Sequence, residues 1–177
     1  LDLPESLTTI GDHAFYHCIK LTSLNLPDSV TTIGSHAFYG CRNLLSLTIG
    51  NSVTSVAGSA FGGCDSLKEI NFNATAMEDL NSGSNAFRES GSNDSGITVN
   101  IGKNVTRIPA RLFASEGGFS APKVKVVNFE QGSICKSIGV NAFSGVTSLR
   151  TVTISKGIEE IDGNAFYSCS DLAHVFY

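Results

Sequence analysis

The chain has 177 residues, 41% of them hydrophobic and 16% charged, with twelve basic against sixteen acidic side chains and a net charge of −4. Charge so sparse and mixed makes no field to gather nucleic acid or an anionic membrane, and no apolar run reaches the roughly 18 residues of a spanning helix. Nucleic-acid partners and membrane insertion are therefore set aside, and the Ser, Thr, Asn and Gly that supply most of the polarity predict short strands and tight corners rather than long helices.

The chain opens with LDLPESLTTIGDHAFYHCIKLTS, and this block returns without a gap as LNLPDSVTTIGSHAFYGCRNLLS and LTIGNSVTSVAGSAFGGCDSLKE. Carried onward, the pattern starts new coils at Leu1, Leu24, Leu47, Ile70, Val99, Val127, Val152 and Val175, spaced 23, 23, 23, 29, 28, 25 and 23 residues apart. A fixed step of this size predicts a solenoid, one domain over residues 1–177, in which equivalent residues of successive coils touch. Because the first residue already lies inside the pattern, a longer parent chain is expected.

Each coil begins with a predicted strand, since the start column and the column two places on (Leu3, Leu26, Ile49, Phe72, Ile101, Phe129, Ile154) are apolar. The residue between them faces out, giving Asp2, Asn25, Thr48, Asn71, Asn100, Asn128, Thr153 and Phe176. Corners such as PES, PDS, GNS and SKG follow, rich in the residues that tight turns need. The TTIG segment then predicts a second short ladder, and HAFYGC a helical turn built around one phenylalanine per coil. These are Phe15, Phe38, Phe61, Phe87, Phe113, Phe143 and Phe166.

The columns LxxLxLPxSVTTIGxxAFxxCxxL, carried in the second coil by Leu21, Leu24, Leu26, Pro27, Val30, Ile33, Gly34, Ala37, Phe38, Cys41 and Leu44, resemble the BspA-like leucine-rich repeat. The resemblance implies a β-rich leucine-rich-repeat solenoid, a right-handed superhelix of about seven coils of 23 residues, with parallel strands on the concave face and short strands, helical turns and loops elsewhere. It further implies a cell-surface or extracellular protein used for adhesion through protein contacts, host extracellular-matrix and cell-surface proteins included, and no enzymatic activity. An intracellular scaffold of the same geometry is the alternative. Coils four to six depart from the pattern: residues 73–96 and 115–123 carry extra residues, and the Cys position holds Ser90, Glu116 and Val146.

The repeated His, Tyr and Cys invite a catalytic or metal reading, but ligand clusters bring donors together within a few residues, whereas here the step is 23. Cys18, Cys41, Cys64 and Cys169 read as a lining of the core, with parallel side-chain vectors that oppose disulfides. His13 and His36 share a column with Ser59, Asn85, Arg111, Asn141 and Asn164, which reads as a solvated position. No catalytic signature, metal site or cofactor site is found, and the sequons at Asn73, Asn93 and Asn104 are no more than this Asn- and Ser/Thr-rich composition provides. The partner-binding face is expected to be the outward ladder with its basic neighbours: Asn25, Thr48, Lys68, Asn71, Asn100, Lys125, Asn128, Arg150 and Thr153. Loops 90–96 and 115–123 should bulge side by side from one rim.

Overall fold

The computed structural model describes residues 1, 3–93 and 96–177. Asp2, and the part of the Asn93 sequon and of the 90–96 loop formed by Asp94 and Ser95, lie outside them.

The predicted strands assemble into one parallel seven-stranded sheet. Its members in spatial order are β2 (Ser23–Asn25), β4 (Ser46–Ile49), β6 (Glu69–Phe72), β7 (Ile97–Ile101), β9 (Val124–Phe129), β11 (Thr151–Thr153) and β13 (His174–Phe176). Leu24 pairs with Leu47, Leu47 with Ile70, Ile70 with Val99, Val99 with Val127, Val127 with Val152, and Val152 with Val175. Burial alternates along these strands, as in β7, because the pleat sends every second side chain inward. A slip of one residue would turn the apolar set outward, so register survives the longer coils and the extra residues are displaced into turns. One strand carries a bulge: Ile97 pairs with Val124 but Thr98 with Val126, leaving Lys125 extra. Gly96 makes room for it, since a Cβ there would stand 2.7 Å from Lys125 Cγ.

A second ladder forms as the TTIG segments predict, but in two pieces. The first joins β1 (Thr9–Ile10), β3 (Thr32–Ile33) and β5 (Ser55–Val56); the second joins β8 (Arg107–Ile108), β10 (Ser137–Ile138) and β12 (Glu160–Ile161). The break falls in coil four, where no strand of this ladder forms among the described residues and the Leu80 amide donates forward to Ala110 O (3.1 Å); on the coil-five side a proline adds to it. After each strand, an amide donates to the preceding coil: Gly34 to Ile10 O (2.8 Å), Ala57 to Ile33 O (2.9 Å), Gly139 to Ile108 O (2.9 Å) and Asp162 to Ile138 O (2.9 Å). The equivalent residue of coil five is Pro109, which has no N–H to give. Asp79 takes over there, its carboxylate accepting from the Ala110 amide at 2.7 Å and pairing with Arg107.

The HAFYGC segment is not the helical turn expected. A helix needs consecutive residues at negative φ, whereas His13 and His17, both at φ 57°, flank Phe15 two residues away on each side. The alternation produces successive tight turns, in which Ala14 donates to Gly11 O and Tyr16 to His13 O. The intervening amides are left pointing at the next coil: Phe15 donates to Ala37 O (2.7 Å), Phe38 to Ala60 O (2.8 Å), Phe61 to Ala86 O (2.9 Å) and Phe143 to Ala165 O (2.8 Å). The rings these turns hold stack in one file, with successive centroids 5.0, 5.5, 5.1, 5.1, 5.3 and 5.4 Å apart from Phe15 to Phe166. Phe38, Phe61, Phe72, Phe87, Phe113 and Phe143 are among the largest fully buried side chains, within one continuous apolar core. Cys135, off the main cysteine column, is buried there in the place of Val30, Val53 and Val105.

Candidate functional site

The left-handed turn explains why histidine recurs. The whole column His13, His36, Ser59, Asn85, Arg111, Asn141 and Asn164 lies at φ between 45° and 60°. Few L-residues tolerate this region, and Asn and His are enriched in it. The expectation of a solvated column is corrected here: Ser59 and Asn85 are buried at 7% and 5% exposure. What the members share is backbone conformation, not polarity. The His13 and His36 rings stack at 5.1 Å, with His36 Nδ1 2.8 Å from Ser35 Oγ. Burial, then the charges of His13 and Arg88, hold the His36 pKa below the ordinary 6.5, while Asp12 opposes the shift. Among the described residues no cluster of three or more His, Cys, Asp or Glu could hold a metal.

The cysteine column acts as a row of donors. Cys41 Sγ donates to Phe15 O (3.3 Å), Cys64 Sγ to Phe38 O (3.5 Å) and Cys169 Sγ to Phe143 O (3.1 Å). Ser90 does the same in coil four, its Oγ 2.6 Å from Phe61 O, and it also accepts from the Cys64 amide at 3.3 Å. Burial pushes the Cys41 and Cys169 thiols up to about 11 and raises that of Cys64 as well, so these sulfurs stay protonated rather than becoming thiolate nucleophiles. All five cysteines are free.

The expected ladder residues fall in register on the outer face of the seven-stranded sheet: Asn25 pairs with Thr48, Thr48 with Asn71, Asn71 with Asn100, Asn100 with Asn128, and Asn128 with Thr153. The middle of this row is knitted together. Asn100 Nδ2 donates to Asn71 Oδ1 and to Glu69 Oε1, each at 3.0 Å, and Asn128 Nδ2 lies 3.4 Å from Asn100 Oδ1. A ladder of amides bonded to one another is stiff, and it still offers further donors and acceptors outward. Of the basic neighbours, Lys125 is the bulge residue, Arg150 stands 3.9 Å from Asp171, and Lys68 leads into β6 through its amide to Leu45 O.

The two insertions meet, as their positions after the Phe file predict. Glu89 donates from its amide to Ser120 O (3.0 Å) and Lys123 to Ser90 O (2.9 Å), while Lys123 Nζ reaches Ser92 O (3.1 Å). Glu116 fixes the other side, accepting from Ser82 Oγ (2.7 Å), the Gly83 amide (2.8 Å) and Arg111 Nε (3.2 Å). The Ser82 hydroxyl bond is the largest influence on its carboxyl; burial opposes it, and the Gly83 amide and Arg111 then help to hold the group below the usual range. The polar clamp made by Glu116 was missed by sequence reasoning, because all its partners but Arg111 lie 31 to 34 residues away in an interrupted coil.

Compared with known proteins, the chain matches the BspA type leucine rich repeat region in six copies, over residues 1–120 and 115–177. A solved leucine rich cell surface protein of Faecalibacterium prausnitzii is similar at 20% identity and a TM-score of 0.49, over 99% of this chain and 52% of that one. A leucine-rich repeat protein of Bacteroides ovatus is similar at 18% identity and a TM-score of 0.35, over 98% of this chain and 71% of that one. The chain thus spans about half the length of the first of these structures. No curated protein matches it. With the repeat matched along its whole length, the chain belongs to the BspA type leucine-rich-repeat family.

Proposed function

We propose that the chain is a non-enzymatic protein-binding module that works in adhesion at a cell surface or outside the cell, with the outer face of the seven-stranded sheet as its docking surface. The observation that carries this reading is the in-register row from Asn25 to Thr153, whose central amides are already bonded to one another. A pre-ordered polar face loses little conformational freedom on binding, and the flanking cations Lys68, Lys125 and Arg150 favour an acidic protein surface. Membership of the repeat family supports the same reading.

The test is binding to immobilised extracellular-matrix proteins, comparing the chain with its Lys68→Glu, Lys125→Glu, Arg150→Glu triple variant. Reversing three rim charges should weaken binding by roughly tenfold or more and make the residual affinity less salt-sensitive. Unchanged affinity would remove this face from the proposal. A second reading, an intracellular scaffold, is favoured by the five free thiols, which suit a reducing compartment. Fractionation of cells expressing the full-length protein separates the two.

A further inference from the structure

The residue that follows each spine phenylalanine makes its own outer column: Tyr16, Tyr39, Gly62, Arg88, Ala114, Ser144 and Tyr167. In coils one and two the rings stack, with Tyr16 and Tyr39 centroids 5.5 Å apart at 13°. Coil three then places Gly62 in the column, and the stack passes over it. A Cβ at Gly62 would stand 2.9 Å from the Tyr39 ring and 3.1 Å from Arg88 Cγ, so glycine there lets Arg88 of coil four lie back on Tyr39. The guanidinium carbon is 5.1 Å from the Tyr39 centroid and 4.5 Å from that of Phe119, from the coil-five insertion. Cation–π contact with two rings holds a guanidinium in place and shields part of it from water.

What this arrangement lacks is an anion. Arg42 pairs with Asp65, Arg107 with Asp79, Arg111 with Glu116 and Arg150 with Asp171, but among the described residues no carboxylate pairs with Arg88. Its Nε is buried without any hydrogen-bond partner. An unmatched cation at a rigid, partly dehydrated position is a receptor for a planar oxyanion, which two parallel N–H groups can grip. Beside it Phe119 remains 43% exposed and borders a groove of about 360 Å³ that Ala121, Pro122, Lys123, Thr147 and three serines also line.

We propose that Arg88 and Phe119 form a rim site for an acidic peptide segment, an Asp or Glu carboxylate seated on the Arg88 guanidinium and the adjacent apolar side chain lying in the groove beyond Phe119. A carboxylate next to an apolar side chain fits better than a sulfated polysaccharide, which gains its affinity from runs of cations. Here Arg88 and one further cation, Lys123, stand beside Phe119, Ala121 and Pro122 in a chain of net charge −4, too few for a run. The site lies on the turn side of the coils and is independent of the sheet face.

The test uses the whole ¹⁵N-labelled chain, titrated in separate arms with acetyl-Gly-Asp-Leu-Gly-amide, its Asn counterpart, and a heparin-derived tetrasaccharide. The Asp peptide should shift the Arg88 Nε–H resonance and the Gly62 and Ser120 amides, with the Asn peptide weaker by roughly tenfold. Arg88→Gln should abolish the response, and Arg88→Lys, which keeps charge but not the planar fork, should weaken it; thermal melts confirm that each variant is folded, and if Arg88→Gln is not, Arg88→Lys decides. Phe119→Ala, which takes away the apolar side of the site, should weaken the response to the Asp peptide without abolishing it. The sheet-face triple variant should titrate like the parent, so either surface can fail without the other. Silence toward the Asp peptide, equal response to the Asn peptide, or stronger binding of the tetrasaccharide overturns the proposal.

Discussion

Coils one to three and coils four and five solve the same problem with different materials. The first three repeat at 23 residues and share the second ladder and the Phe file, with the Tyr stack in coils one and two and the Cys donors in coils two and three. Coils four and five carry insertions, interrupt the second ladder, and replace Cys by Ser90 and Glu116, yet the seven-stranded sheet, with one bulge, and the Phe file pass through. The comparison separates what the solenoid requires from what it tolerates. Inward apolar columns and left-handed turn residues are required; outer side chains and the second ladder are negotiable, and the departures build the rim that carries Arg88 and Phe119 on one side and the Glu116 clamp on the other.

Removing a ring from the file tests the required part and should give the largest effect. Phe61→Ala empties a fully buried site flanked by two rings and should cost about 3–5 kcal/mol in urea unfolding. Phe119→Ala, in the negotiable rim, should cost about 1 kcal/mol or less. Equal losses at the two sites would erase the distinction between regions.

The donor column sharpens the comparison at a smaller scale. Ser90→Ala leaves the buried Phe61 carbonyl and Cys64 amide short of a partner and should destabilise by about 1–3 kcal/mol, whereas Ser90→Cys should recover most of that loss, because thiols serve the same carbonyl in coils two, three and seven. If the cysteine variant is as weak as the alanine, the donor reading fails and only size matters. Smaller again is a dependence on pH. His36 is held below 6.5, so the folded chain binds fewer protons there than the unfolded chain, and stability present above that value should decline as pH falls through and below it. The groups facing His36 are His13 and Arg88, which strengthen the effect, and Asp12, which opposes it. His36→Asn should flatten the unfolding midpoint between pH 7.5 and pH 5.

The architecture was legible in the sequence because apolar columns at a fixed period report burial directly; Leu24, Leu47, Ile70 and Val99 pair as they align. The turn conformation was hidden because Ser59, Asn85, Arg111 and His36 share a φ angle but no chemistry, and reading them by polarity made them look solvated. The split of the second ladder left only a partial signal, the extra residues of coil four and a proline after the strand of coil five. No pattern announced the Arg88 contacts with Tyr39 and Phe119, since they depend on a missing side chain at Gly62 and on a loop folding back from the next coil. As for the sheet face, its row of residues could be read from the strands alone, whereas the amide-to-amide bonds that stiffen it require the actual spacing of the coils.

The claim beneath all of this is that the recurring histidine answers a backbone need and not a chemical one. Urea unfolding of His36→Asn and His36→Val at pH 7.5 tests it most directly. The account predicts that asparagine, at ease with positive φ, matches the parent within about 0.5 kcal/mol, while β-branched valine loses about 1–2 kcal/mol. An equal loss in both variants would show that the imidazole itself holds the turn, and would contradict the account.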